Sequence, residues 1–416
     1  MEREVLLAVI YEQQHITLPD NFVPRISTSL TEDNQIIVLS GVRRCGKSTL
    51  LQEIRSKSKE NKYYLNFDDD RLIHFKIDDF QFLYELFIEI FGVQSNFFFD
   101  EIQNIPGWER FIRRLHDNGK KVFVTGSNAS MLSRELGTHL TGRFYQFELF
   151  PFSFKEFLFF KGRTFQREEV YTTLGKAAMK QYFMEYFQKG GFPAYLQFES
   201  TPYLKSLYES ILYRDIIVRN KLTSEKELLE LNYFLASNVS RPASHNSLSK
   251  IAGVKNASTI KNYMEFIQNT YLLFAINKFD FSLKRQVQNP KKFYFIDLAL
   301  IREIGFLNSK DEGRLLENLV FLQLRRTFNE IYYHRGQREC DFLVREKGKI
   351  TNAIQVCWSM NKEDTGKREI LGLLDAMESY GLDHGYIITL DDEDNQMIEG
   401  CEIFIKPFWK WVLEEF

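Results

Sequence analysis

Gly41-Val42-Arg43-Arg44-Cys45-Gly46-Lys47-Ser48 has the residue types and spacing G-x-x-x-x-G-K-[ST], and the chemistry of that pattern is the gripping of phosphate groups. Gly41 and Gly46 let the backbone curl, so that the N–H groups of Arg43, Arg44, Cys45, Gly46, Lys47, Ser48 and Thr49 can converge on an anion. Lys47 adds a point charge for the outer phosphates, and Ser48 adds a hydroxyl for Mg²⁺. Downstream, Asp100-Glu101 offers adjacent carboxylates. Asp100 has the chemistry to hold Mg²⁺ through its water shell, and Glu101 that to orient and deprotonate an attacking water. Ser127 or Asn128 could hydrogen-bond a terminal phosphate or that water, or cap a helix starting near Ala129. Arg143, after Thr141-Gly142, is either an arginine finger, in cis or in trans, or a surface arginine. The trans case requires a homo-oligomer.

These groups need elements to place them. Gln35 to Ser40 reads as a buried strand and Ser48 to Ile54 as a helix start, which aims a helix N-terminus at the anion. Lys62 to Phe67, Asn96 to Phe99 and Lys121 to Val124 read as further strands, apolar as strands covered on both faces are. The carboxylates and Ser127-Asn128 then fall past the carboxyl ends of strands, on the ligand edge of an α/β sheet.

The 416 residues predict two or three domains, and 44% hydrophobic with 26% charged residues is ordinary for a globular protein. The net charge of −2 excludes a molecule that binds polyanions by total charge, so any nucleic-acid surface must be local. Cys45, Cys340, Cys357 and Cys401 form no C-x-x-C pair, which suits a reducing compartment and argues against a disulfide framework or zinc knuckle. No apolar run approaches membrane-spanning length, and Met1-Glu2-Arg3-Glu4 lacks the charge pattern of a signal peptide. The expectation is a cytoplasmic protein without a membrane partner.

The phosphate loop, Asp100-Glu101-Ile102-Gln103, Thr125-Gly126-Ser127-Asn128, Leu140 to Phe144 and Leu149 to Phe157 together resemble the prokaryotic AAA-like P-loop ATPases often called archaeal-type ATPases. Gly190-Gly191-Phe192-Pro193 and Tyr213 to Ile217 extend the resemblance over nearly the whole chain. It implies an ATP hydrolase followed by a C-terminal domain of poorly defined function. Asn277-Lys278-Phe279-Asp280 matches the guanine-reading N-K-x-D, but it lies far from the loop and no D-x-x-G follows the Asp100 strand, so ATP is the expected nucleotide. The seven phenylalanines from Phe147 to Phe160 read as a helix and lid core rather than a base-stacking surface.

Farther along, Ser247 to Val254 reads as a short helix with a turn, Asn256 to Ile267 as a second helix and Tyr271 to Ile276 as a strand. That order describes a winged helix-turn-helix. From Arg241 to Phe295 nine basic residues face two acidic ones, the footprint of a phosphate-contacting surface. Lys255, Asn256, Ser258, Thr259 and Lys261 lie where a recognition helix would begin and are the DNA-binding candidates. The alternative is a basic face used for packing or oligomer contacts.

The C-terminal part resembles the PD-(D/E)xK restriction-nuclease fold, with Glu317 on a helix and Asp341 at a strand start. The resemblance implies that these and a following Glu-x-Lys surround Mg²⁺. Here that element reads Gln355-Val356-Cys357. Glutamine is a weak magnesium ligand and cysteine cannot replace a lysine cation, so cleavage is not expected unless Lys347, Lys349 or Lys362 fills the lysine role. Asp391-Asp392-Glu393-Asp394 reads as a solvated turn.

The resulting fold class is α/β. It comprises a P-loop AAA-like domain at 1–160, a helical lid at 161–235, a winged helix at 236–290 and a degenerate restriction-nuclease-like α/β domain at 291–416. The leading expectation is a Mg²⁺-dependent ATPase coupled to a DNA-binding module. The alternatives are an ATP-gated nuclease and a nucleotide-dependent switch that binds protein.

Overall fold

Ile36-Ile37-Val38-Leu39-Ser40-Gly41 is apolar at almost every position, which suits a strand covered on both faces. It forms β1 (Ile36–Gly41), buried throughout. The computed structural model describes residues 1–19, 22–25, 35–128, 140, 142–308, 311–361 and 363–416. It divides into Met1–Phe150 with Asn269–Tyr271, and Pro151–Gln268 with Leu272–Phe416.

In the first unit β1 joins β2 (Tyr63–Asn66), β3 (Asn96–Asp100), β4 (Lys121–Gly126) and β5 (Phe144–Leu149). The sheet is parallel, in the order β2-β3-β4-β1-β5. Helices α1 (Arg3–Gln14), α2 (Lys47–Lys57), α3 (Asp79–Phe91) and α4 (Trp108–Asp117) complete the unit. Its core is aromatic: Tyr63 stacks on Phe87 at 4.9 Å and Phe80 on Phe111 at 4.6 Å, while Phe98, facing the other way from Phe97 and Phe99, stacks on Phe123 at 5.1 Å. Because all five strands are parallel, the carboxyl ends of β1, β3 and β4 collect on one edge.

The second unit begins with α5 (Phe154–Phe160), α6 (Thr173–Lys189), α7 (Pro193–Phe198), α8 (Thr201–Ser210), a π-helix at Ile211–Val218 and α9 (Glu225–Ser237). Then come α10 (His245–Ile251), α11 (Ala257–Asn269), β6 (Leu273–Lys278), α12 (Leu283–Gln288), β7 (Lys291–Phe295) and α13 (Leu298–Ile304). The chain ends with α14 (Glu312–Thr327), β8 (Ile331–Arg335), β9 (Glu339–Glu346), β10 (Lys349–Val356), α15 (Glu363–Tyr380), β11 (His384–Thr389), β12 (Asp394–Ile398), β13 (Cys401–Pro407) and α16 (Phe408–Glu415).

Strands β6 to β13 form one mixed sheet ordered β12-β13-β11-β10-β9-β8-β6-β7. The antiparallel pair β6–β7 straddles residue 290, and β6 also pairs with β8. Helices α10 and α11 are therefore followed by strands that belong to the C-terminal sheet. No helix among the described residues is long and apolar enough to cross a membrane.

Of the seven phenylalanines, Phe150, Phe152, Phe154 and Phe157 are buried, whereas Phe159 is half exposed. Helix α5 starts with a capping box between Ser153 and Glu156, and Phe154 packs edge-on to Phe183 of α6 at 5.8 Å. Gly190-Gly191 has a packing reason. A Cβ at Gly190 would lie 2.3 Å from the Asp297 carboxylate, and one at Gly191 would lie 2.3 Å from the Phe152 carbonyl oxygen. Asp297 accepts the Gly191 and Ala299 N–H groups, both at bond lengths below 2.9 Å. Gly191→Ala forces a backbone to shift and should cost about 2 kcal/mol, measured as a lower thermal midpoint; an unchanged midpoint would contradict this packing.

Candidate functional site

The loop after β1 is shaped by two glycines. Gly41 has φ +150°, and a Cβ there would lie 2.2 Å from the Leu149 carbonyl oxygen of β5. Gly46 has φ +105° and immediately precedes α2, whose N-terminus no side chain caps. Lys47 opens α2 and is buried. Its Nζ donates to the carbonyls of Gly41 at 3.2 Å and Val42 at 3.0 Å. Arg44 is exposed with φ +66°, Arg43 and Thr49 are half-buried, and Ser48 is exposed. Burial raises the Cys45 thiol above its ordinary pKa, which keeps it protonated and inert.

Asp100 ends β3 and is almost wholly buried. It accepts from the Thr125 hydroxyl at 2.5 Å and from the Ser48 hydroxyl. Burial, with the Glu101 charge adding to it, pushes the Asp100 carboxyl up to about 6 against those bonds and Lys47. Glu101 has φ +51°, a region that costs a non-glycine residue roughly 1–3 kcal/mol and clusters at functional sites. Its N–H donates to Thr125 Oγ1 at 2.8 Å. Its Oε2 accepts from Gln103 Nε2 at 2.5 Å and Ser127 Oγ at 3.4 Å, and its Oε1 lies 4.0 Å from Lys47 Nζ.

The sequence-predicted Lys47, Ser48, Asp100, Glu101 and Ser127 thus meet on one edge. Asn128 is buried just past β4; the helix expected near Ala129, and Thr141, lie outside the described residues. Three residues near the carboxylates were missed: Thr125, Gln103 and Tyr64, whose hydroxyl reaches Asp100. The signal for Thr125 was a hydroxyl ending an otherwise apolar strand.

Arg143 requires a correction. It precedes β5, and its carbonyl accepts from Ile36 at the start of β1, the edge opposite the loop. Its guanidinium pairs with Asp117 of α4 at 3.0 Å. A six-residue strand separates it from this chain's own loop, roughly 20 Å at the usual rise, so the cis arginine-finger role is excluded.

In the second unit Lys255, Asn256, Ser258 and Lys261 are exposed and Thr259 half-buried around the start of α11. Asn256 Oδ1 accepts the Ser258 N–H at 3.0 Å. Glu317 on α14 and Asp341 on β9 do come together, and Gln355 Oε1 accepts the Asp341 N–H at 3.1 Å. Cys357 instead donates to the Ser359 carbonyl, and burial pushes its thiol up to about 11. Lys347 and Lys349 are exposed at the far turn of the β9–β10 hairpin, and Lys362 lies outside the described residues. The lysine that reaches the carboxylates is Lys292 of β7, which sequence spacing did not single out. The acidic Asp391–Asp394 turn pairs with lysines, Lys180 with Asp391 at 2.5 Å and Lys410 with Glu393.

An AAA domain model matches residues 33–158, a Domain of unknown function (DUF8612) residues 180–311, and a Domain of unknown function (DUF4143) residues 312–409. An uncharacterized protein of Methanocaldococcus jannaschii is 37% identical over 403 residues, covering 91% of this chain and 88% of its own length. The chain belongs to the family of that protein. An uncharacterized protein of Haemophilus influenzae is 28% identical over 390 residues, 90% of this chain and 94% of its own. A solved Thermotoga maritima RuvB Holliday junction branch migration motor is similar at 15% identity over 58% of this chain and 81% of that one, with a TM-score of 0.28. A Thermococcus gammatolerans McrB AAA+ hexamer assembly with bound McrC is similar at 11% identity, 65% and 77% coverage and a TM-score of 0.21. The N-terminal region is an AAA domain with the P-loop ATPase fold.

Thr125 holds the Asp100 side chain and the Glu101 backbone with one hydroxyl. Thr125→Val removes both bonds, and hydrogen bonds to charged groups contribute about 1.5–3 kcal/mol. ATP turnover should fall roughly 10- to 100-fold with nucleotide affinity little changed, read from kcat beside equilibrium nucleotide binding.

Proposed function

We propose that this family member is a Mg²⁺-dependent ATPase whose second unit carries a DNA-binding winged helix and a nuclease-like sheet without cleavage activity. The observation that carries the ATPase reading is the cluster of Lys47, Asp100, Glu101 and Thr125 around a glycine-shaped loop at a helix N-terminus.

The loop N–H groups and the first turn of α2 bind the phosphates, and Lys47 exchanges the carbonyls of Gly41 and Val42 for phosphate oxygens. Ser48 and Asp100 form an all-oxygen donor pair of the kind Mg²⁺ takes. When bound there, the ion supplies neutralisation of developing phosphate charge. Glu101 accepts a proton from the attacking water, and its backbone bond to Thr125 with the Gln103 contact fixes its direction. Ser127 reaches Glu101 for a sensor role, and Asn128 follows it past the end of β4 as the alternative sensor. ATP rather than GTP is favoured because Asn277 takes a bond from Lys291 and Asp280 pairs with Arg285, so the N-K-x-D match has a structural use on β6.

Lys47→Ala should abolish turnover and weaken nucleotide binding, while Glu101→Gln should retain binding and hydrolyse ATP at least about 100-fold more slowly. Normal turnover in either variant would overturn the assignment.

The DNA reading rests on α10, α11 and the antiparallel β6–β7 pair following in that order, with exposed Lys255 and Lys261 around the start of α11. His245 supports a positive face: after burial, the charges of Lys291 and Lys261 lower its pKa. Lys292 is buried among carboxylates and drops out of the basic surface. Charge reversal at Lys255 and Lys261 should weaken duplex binding and flatten its salt dependence. Duplex binding that persists unchanged places the DNA surface elsewhere, and the lack of any salt-dependent duplex binding by wild type favours a protein partner instead.

A further inference from the structure

Lys292 is the most enclosed cation of the C-terminal sheet, with only 2% of its surface exposed. Its ammonium has three protons and three carboxylate neighbours. Glu317 Oε1 lies at 3.0 Å, Glu339 Oε1 at 2.9 Å and Asp341 Oδ1 at 2.8 Å. The carboxylates come from α14 and β9, and the lysine from β7, so the cluster is assembled by the fold.

The surroundings hold those oxygens in place. Tyr294, also on β7, donates to Glu317 Oε1 at 2.8 Å, and the Val356 N–H donates to Asp341 Oδ2 at 3.0 Å. Burial works against the Lys292 charge, but Asp341 and Glu317 outweigh it and hold the ammonium well above its ordinary pKa. Burial, with Asp341 adding to it, pushes Glu317 up to about 7. Glu317 and Asp341 are themselves buried, whereas the Glu339 side chain is about a third exposed and marks the side open to solvent.

Three carboxylates face one point, but at 2.8–3.0 Å from the Lys292 ammonium rather than the roughly 2.0–2.6 Å a hard divalent cation takes, and no group of three such side chains among the described residues is spaced to hold a metal as it stands. Here the point is already taken. We propose that the Lys292 ammonium is a resident cation standing where a divalent metal would sit among Glu317, Glu339 and Asp341, and that it closes this site to metal. Removing the lysine side chain converts the cluster into a metal site. This deepens the reading of the C-terminal sheet as nuclease-like and inactive, and it is independent of the ATPase.

The test is Mn²⁺ binding to the nucleotide-free full chain, by titration calorimetry and thermal shift. Lys292→Ala and the longer, neutral Lys292→Gln are compared with wild type, each with and without Asp341→Asn. The expected result is one additional bound Mn²⁺ in the Lys292 variants, with a rise in thermal midpoint that Asp341→Asn abolishes. If Lys292→Ala folds only when Mn²⁺ is supplied, and Asp341→Asn removes that rescue, the proposal is equally supported. Asp341-dependent Mn²⁺ binding by wild type would overturn it, as would Lys292 variants that gain no site. Mn²⁺-dependent DNA cleavage by the same samples is scored separately. Wild-type cleavage lost in Asp341→Asn would sink the inactive-nuclease reading, whatever the binding data show.

Discussion

The contact on which the first unit depends is the approach of Gly41 to the Leu149 carbonyl. At 2.2 Å from an ideal Cβ, no other residue fits without moving β5. This fixes where the chain leaves β1, and so where Gly46 turns and where α2 begins. Lys47 then lies under its own loop, within 4.0 Å of Glu101. The rest of the edge follows from strand order. With β4 between β1 and β3, Thr125 stands between the loop and the carboxylates and can hold both Asp100 and Glu101.

Legibility in the sequence followed the range of the interaction. The loop, the buried strands and the carboxylates at a strand end were readable because each is a local pattern: glycine spacing, apolar runs and a polar terminus. The helix at Ala257–Asn269 was readable for the same reason, since Ile260, Tyr263, Met264 and Ile267 repeat at helical spacing and are buried. For Arg143 the sequence left a cis finger, a trans finger and a surface arginine open, because a turn with Thr-Gly-Arg says nothing about which edge of the sheet it occupies. Parallel register answers that, with Ile36 opposite Phe144 and Gly41 opposite Leu149.

Lys292 was invisible for a different reason. It is 25 residues from Glu317 and 49 from Asp341 along the chain. Its own neighbourhood, Pro290-Lys291-Lys292-Phe293, reads as part of a basic stretch. Only the pairing of β7 with β6, and of β6 with β8, carries it toward β9. Adjacent lysines then have opposite fates, as strand alternation requires. Lys291 is partly exposed beside Lys261, and Lys292 points into the carboxylates.

The two carboxylate clusters use charge in opposite ways. In the first unit Asp100 is buried with a hydroxyl from each side, while Lys47 donates to two backbone carbonyls rather than to a carboxylate at short range. Those bonds are neutral on one side and cost little to exchange when a phosphate arrives. In the second unit the lysine binds three carboxylates directly, and breaking such a buried set leaves uncompensated charge costing about 3–5 kcal/mol. A site that must open for each turnover cannot be locked that tightly. On the proposed ATPase reading, Lys47 is the cation that must move, whereas Lys292 is held fixed by its three carboxylates.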